Sequence, residues 1–204
     1  MTVGRVVKSG AVAVAFSMGF SILARAQGWE HRLGSRGLQQ SVLTWTGLTP
    51  DGPVSTSLVL SCLAHPERGR EGIGVSYVIH NFRDIKNFDF FYFSGPDAPG
   101  QFRALGAITV RTSGGRAIIF RRRVEGEYSL DNPSTDFEFD AEGLDGLVAL
   151  LARGAVKVSW RIRDGRRPDR TLYTNFPTEG AKLAIDGLIK LGCVIHRPKA
   201  KRSR

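Results

Sequence analysis

The chain has few of the residues that build metal-stabilised or disulfide-dense folds. Among its 204 residues are 2 cysteines and 4 histidines. Two cysteines are too few for a disulfide mini-scaffold, and the wide spacing of Cys62 and Cys193 excludes the C-x-x-C motif of thiol exchange. No two histidines stand four residues apart and no H-E-x-x-H segment occurs, so we expect no metal and no cofactor.

Long apolar runs are also missing, except for one near the start. It covers Ala11–Leu23, follows two basic residues and precedes the small-residue site Ala24–Ala26. A run of this length is shorter than the ~20 residues that a bilayer-spanning helix needs. A basic start, a short apolar middle and an A-x-A site are typical of a secretory signal peptide, with an uncleaved anchor as the alternative. We therefore expect residues 1–26 to be a leader and a periplasmic mature chain to begin at Gln27.

Charge imbalance is small in the body of the mature chain. The sequence has 29 Lys+Arg against 19 Asp+Glu, but three bases lie in the leader and five in residues 197–204. Residues 27–196 therefore carry 21 bases and 19 acids. Nucleic-acid binding needs a basic face with stacking aromatics, so we expect no nucleic-acid partner. The basic tail is expected to be disordered, in weak contact with an anionic membrane surface or cell wall.

What the sequence does contain is repeated alternation of apolar and polar residues, which predicts strands. The predicted strands are Val42–Thr46, Thr56–Leu63, Ile73–Phe82, Phe88–Phe93, Ala107–Thr112, Ala117–Val124, Asp136–Asp140, Ala155–Arg163 and Arg170–Phe176. Helical spacing predicts helices at Ala141–Ala152 and Thr178–Leu191, the second with Thr178 as its N-cap. We expect a mainly β domain over 27–196, an antiparallel β-sandwich or flattened barrel with two short helices, the C-terminal one packed on the sheet.

The two cysteines fall at the ends of predicted elements. Cys62 ends an apolar run, and Cys193 follows the C-terminal helix. An even number of cysteines in an oxidising compartment favours one disulfide bond, with two buried free thiols or a redox pair as alternatives. A bond between Cys62 and Cys193 would link the C-terminal helix covalently to the predicted strand Thr56–Leu63.

The second half of the chain has a recognisable order of elements. These are a helix Leu147–Gly154, a strand Val156–Ile162, a return strand ending in Phe176, and a helix after Gly180 that ends in Cys193, together with the upstream strand Leu58–Cys62. This order resembles small periplasmic β-sandwich proteins of the invasion-associated locus B kind, and equally the periplasmic accessory proteins associated with type VI secretion. The resemblance implies a non-enzymatic interaction or accessory factor that binds an envelope protein partner.

Acidic residues cluster in one segment of the chain, and they carry the main alternative hypothesis. The cluster consists of Asp131, Asp136, Glu138, Asp140, Glu142 and Asp145. Alternation with Phe137 and Phe139 places Asp136, Glu138 and Asp140 on one strand face. Such a face could serve a cell-wall or glycan hydrolase, or bind calcium. The structural alternative is a solvated face that pairs across strands with basic residues, Arg121, Arg122 and Arg123.

Phe88–Phe93 contains five aromatic residues in six positions. As a strand, it would place Phe88, Phe90 and Tyr92 on one face. If other elements cover both faces, the segment is a central strand. If one face is uncovered, it offers an apolar patch to a partner, or to the apolar ligand that a carrier protein would bind. We therefore select six candidate binding residues and no catalytic residue. The six are Phe88, Phe90, Tyr92, Arg121, Arg122 and Arg123.

Overall fold

The computed structural model describes residues 28–34, 37–65, 70–95, 97–141 and 144–194. The expected leader and the basic tail lie outside the described residues. The strands are β1 (Glu30–Leu33), β2 (Gln39–Thr49), β3 (Gly52–His65), β4 (Arg70–Ile79), β5 (Gly106–Arg111), β6 (Ala117–Arg122), β7 (Val124–Tyr128), β8 (Phe137–Ala141), β9 (Lys157–Arg163) and β10 (Thr171–Pro177). The helices are α1 (Asp145–Ala152) and α2 (Ala181–Lys190).

All strands join one antiparallel sheet, in the order β6-β5-β9-β10-β2-β3-β4-β8-β7, with β1 paired to β2. The first and last strands of this order, β6 and β7, are separated in the chain by Arg123 alone. The sheet must therefore curl until its two ends meet at that corner. Gly106 allows the close approach, because a Cβ there would lie 2.5 Å from Val124 Cγ1. The result is a nearly closed, barrel-like sheet, which confirms the predicted fold class.

Alternation along the strands produces the inside and the outside of this barrel. In β9, Val158, Trp160 and Ile162 are fully buried, while the residues between them face outward. The same period of two places Phe137 and Phe139 of β8 inside. The interior is filled by large side chains that are almost free of solvent contact. The largest are Trp160, Tyr77, Phe93, Phe137, Phe139 and Phe176.

Both predicted helices form, within shorter bounds than the sequence indicates. In α2, Ala181, Ala184, Ile185 and Leu188 are buried, and this face packs on the sheet at β2. The predicted N-cap is wrong, because α2 begins after Gly180, whose φ is +79°. The hydroxyl of the expected cap, Thr178, instead donates to the carbonyl of Ala155 at 2.6 Å.

The predicted disulfide is present between Cys62 of β3 and Cys193, just past the end of α2. Their Cα atoms lie 5.5 Å apart, within the range that a disulfide spans. The end of α2 is thus bonded to the strand next to β2, on which the helix packs.

The predicted strand Phe88–Phe93 is wrong. Residues Phe90–Phe93 form a short 3-10 helix, started by Asp89, whose carboxylate accepts the Tyr92 amide at 3.2 Å. An alternating strand would point some of these rings into water, whereas the helical turn directs most of them inward. Phe88, Phe90 and Phe93 join the core, and only Phe91 is exposed, at 67%.

This aromatic segment is fixed to the loop between β9 and β10 by Asp164. The buried Asp164 carboxylate accepts the amides of Asp89, Arg166 and Arg167 at 2.8–3.1 Å. The ring of Tyr92 lies against Gly165, where a Cβ would come within 1.9 Å of it. The segment is therefore part of the packed fold.

Candidate functional site

A basic groove lies on the outer face of the sheet, across β5, β6, β9 and β10. Its volume is about 470 Å³. It is lined by Ala104, Leu105, Gly106, Ala107, Thr109, Arg111, Ile119, Arg121, Lys157, Ser159, Arg161, Arg163 and Tyr173. We name this feature the basic groove because five of the lining residues are Arg or Lys and none is Asp or Glu.

The groove exists because small and large residues share the outward positions of these strands. Ala107, Thr109 and Ser159 occupy the middle, and Thr109 stands directly opposite Ser159 in the register. Short side chains leave a depression there. On one rim, the hydroxyl of Tyr173 donates to the side chain of Asn175 at 2.7 Å. Ser159 donates to the same oxygen of Asn175, so this one acceptor links Ser159 in the middle of the groove to Tyr173 at its rim.

The register places the cationic side chains in rows across the strands. Arg121 of β6 and Arg161 of β9 both stand opposite Ala107 of β5, on either side of it. Two strand spacings separate them, about 10 Å. Further along, Arg111 stands opposite Lys157, four residues from Arg161 and thus about 13 Å along β9. The positive charge therefore covers an extended area and is not focused on one point.

None of these five cations is paired with a carboxylate within the described part of the chain. Like charges held about 10 Å apart on a protein surface repel each other weakly at physiological salt. An anionic ligand would replace that repulsion with attraction to several guanidinium groups, which can each donate two parallel hydrogen bonds to a carboxylate or phosphate.

The predicted run Arg121–Arg123 does not act as one unit. Arg121 faces the groove, while the guanidinium of Arg122 turns toward the ring of Phe120, with Cζ 5.5 Å from its centre. Arg123 is exposed at the corner between β6 and β7. Arg121 and Arg122 do not lie on a strand beside the acidic face, because β6 pairs with β5 whereas β8 pairs with β4 and β7.

The acidic residues form a separate face on β7 and β8. Glu127 stands opposite Glu138, and Glu125 stands opposite Asp140. Burial raises the pKa of Glu138, opposed by a hydrogen bond from Ser76, and the charges of Glu127 and Asp131 raise it further. No three His, Cys, Asp or Glu side chains among the described residues are placed to hold a metal ion.

A hydrogen-bonded series that the sequence did not reveal joins Ser57, His80 and Asp136. Ser57 Oγ lies 2.8 Å from His80 Nε2, and His80 Nδ1 lies 2.8 Å from Asp136 Oδ2. An ionised carboxylate only accepts, so Nδ1 donates to it, and a neutral ring then accepts the serine proton at Nε2. Thr135 donates to the other Asp136 oxygen at 2.9 Å. The connectivity is that of a serine nucleophile with its base.

The surroundings of Ser57 differ from those of an exposed nucleophile. Ser57 lies in the middle of β3, paired with Thr44 on one side and Val78 on the other, and is 1% exposed. The hydroxyl of Thr44 lies 3.0 Å from Ser57 Oγ, and either of the two hydroxyl groups can be the donor. Sequence reasoning missed the series because its members lie 23 and 56 residues apart, with no local motif.

The fold and the groove together define a disulfide-bonded, barrel-like β protein with a cationic outer face. Comparisons with family models, with curated proteins and with solved structures give no match for this chain. Across the described residues, no helix has the length and apolar character needed to span a membrane.

Proposed function

We propose that this chain is an exported envelope protein that works by binding an acidic partner in the basic groove. The observation that carries the proposal is the set of five Arg and Lys side chains lining one groove without a carboxylate among them. The body of the chain has nearly balanced charge, so this concentration on one face reflects placement and not composition. Placement of charge of one sign steers and orients an oppositely charged partner.

Three further features support the export part of the proposal. The N-terminal pattern ending at Ala26 is that of a leader. A disulfide closing 131 residues of chain is typical of oxidising compartments. The resemblance to locus B and type VI accessory proteins points the same way. We expect intact mass of the protein from an envelope fraction to give a chain beginning at Gln27. A chain retaining Met1 contradicts the cleavage.

Charge reversal at two groove positions tests the binding part. In the double variant Arg121→Glu/Arg161→Glu, binding of fluorescent poly-L-glutamate, followed by anisotropy, should weaken about tenfold or more. The matched control is Arg116→Glu/Arg153→Glu, which makes the same change of net charge at exposed positions outside the groove. Equal weakening in both variants would show a response to net charge alone and would reject the groove.

A second candidate function, acyl transfer at Ser57, is favoured by the two 2.8 Å contacts of His80. The serine oxygen would attack an ester carbonyl while His80 takes its proton and then returns it to the leaving alcohol. A fluorophosphonate probe tests this by forming one covalent adduct at Ser57. The Ser57→Ala variant should remain unlabelled, and Ser55→Ala, on the same face of β3, should label normally. A wild-type chain without adduct rejects this second function.

A further inference from the structure

The rim of the basic groove is formed by β6, the first strand in the order of the sheet. In the part of the chain that the structure describes, β6 pairs only with β5. Its six residues are alternately exposed and half-buried, and none is buried. The opposite end of the sheet differs, because β7 carries a bridge from Ser94 to Gly126 on its outer side. The edge of β6 is therefore the more open of the two ends.

A free edge presents backbone N–H and C=O groups that another extended chain can pair with. Natural edges are often blocked by proline, lysine or a bulge. The strand reads Ala-Ile-Ile-Phe-Arg-Arg over 117–122, without proline or lysine, and pairs with β5 in continuous register. Its outward Ile119 is 61% exposed. The edge is thus suited to strand addition, and its arginines are its only charged residues.

Charge determines which kind of chain the edge accepts. Side chains of a strand added beside β6 would alternate between the groove face and the opposite face. Those on the groove face would lie next to Arg121 and Ile119, the two β6 residues that line the groove. Cross-strand neighbours of opposite charge stabilise a sheet, and like charges destabilise it. An acidic residue beside Arg121 and an apolar residue beside Ile119 give the complementary pattern, whereas a second copy of β6 has arginine as its only charged residue type and offers no acidic side chain.

We propose that β6 binds an extended acidic segment of an envelope protein partner as an additional strand, with its acidic side chains directed into the basic groove. This inference rests on the proposed function, and it adds the conformation and the backbone contacts of the partner. Main-chain hydrogen bonds provide affinity in such complexes, and the alternating side chains provide specificity.

A pair of peptides with identical charges tests the added strand. The first is an unmodified peptide of the repeat Glu-Thr-Val-Thr, which places Glu and Val in turn along one strand face, and the second has the same sequence with every backbone amide methylated. Binding to the full-length chain is measured by calorimetry. The unmodified peptide should bind at least about tenfold more tightly, because the methylated one has no N–H groups to donate to β6. Hydrogen exchange of Ala117–Arg122 should slow with the unmodified peptide only.

The outcomes separate this inference from the proposed function. Equal affinity of the two peptides, with binding still lost in Arg121→Glu/Arg161→Glu, would leave an acidic partner in the groove and overturn strand addition. Failure of both peptides and of poly-L-glutamate to bind would overturn both proposals. Chain self-association in the absence of peptide, measured by sedimentation and blocked by it, would assign the edge to a second copy and also overturn the inference.

Discussion

The Cα atoms of Cys62 and Cys193 lie 5.5 Å apart although 131 residues separate them in the chain. The bond joins β3 to the segment just after α2, so it holds the last helix against the sheet. Linking two such distant points restricts the unfolded chain, by about 4–5 kcal/mol in the chain-entropy model. We expect the Cys62→Ser/Cys193→Ser variant to lose stability of this order in chemical denaturation under oxidising conditions.

A reductant provides the control for the disulfide prediction. Wild type and variant should then unfold at the same denaturant concentration, because neither contains the bond. Hydrogen exchange in the variant should rise first in Ala181–Lys190, which is a short helix and marginal without its packing. A uniform rise over all strands would contradict the specific role in holding α2.

Two glycines test how tightly the aromatic segment packs on the β9–β10 loop. In Gly165→Ala the new methyl group would lie 1.9 Å from the ring of Tyr92, so the ring or the loop must move. Thermal or chemical unfolding should show a loss of about 1–3 kcal/mol. Gly114→Ala is the matched control, since a Cβ there meets nothing within 4 Å. Its stability should change by less than about 0.5 kcal/mol, and similar losses in both variants would contradict the packing.

Adjacent phenylalanines of the 3-10 helix give a second test of the corrected structure. Phe93 is fully buried and contacts Phe88 and Phe139, whereas Phe91 is 67% exposed. Phe93→Ala should cost about 3–5 kcal/mol in chemical denaturation, because it opens a cavity in the core. Phe91→Ala should change stability by about 0.5 kcal/mol or less. A strand would place both residues on one face, so equal costs would favour the strand that the sequence predicted.

The sequence predicted the sheet well because alternation is a local property. The inward direction of Val158, Trp160 and Ile162 follows from their spacing along the chain and can be predicted without knowing which strands lie beside them. The prediction from alternation was wrong at Phe88–Phe93. The composition of this segment favours a strand, but more of its rings are buried in the core than one face of a strand could bury. The Asp89 cap and the contact with buried Asp164 decide that conformation, and the second comes from 75 residues away.

The basic groove and the Ser57 series depend on the order of the strands in the sheet. No local pattern in the sequence indicates that order. Arg121 and Arg161 become neighbours only because β5 lies between β6 and β9. The sequence did single out Arg121, and one alternative paired it with acidic residues of the segment that forms β8, which does not pair with β6 in the sheet. Alternation along β9 indicates which of its residues face outward, but it does not indicate which strands lie beside them.

The carboxyl group of Glu138 on β8 is half-buried and faces carboxylates of like charge. Burial, together with the nearby charges of Glu127 and Asp131, raises its pKa. A carboxyl group whose pKa is higher in the folded than in the unfolded chain binds its proton more tightly when folded. It therefore contributes stability below its unfolded pKa, about 4.3 for glutamate, and that contribution is lost as the pH rises through the raised folded value. At neutral pH the ionised group destabilises the fold.

Glu138→Gln removes this charge and keeps the shape of the side chain. The variant should be more stable than wild type at pH ~7 by about 1 kcal/mol, the upper end for a like-charged cross-strand pair. At pH ~3, where wild-type Glu138 is protonated in both states, the difference should disappear. Chemical denaturation at the two pH values measures it, with Glu179→Gln as an exposed control that should show no such difference. A Glu138→Gln variant less stable than wild type at pH ~7 would mean that the hydrogen bond from Ser76 outweighs the cost of burying the charge.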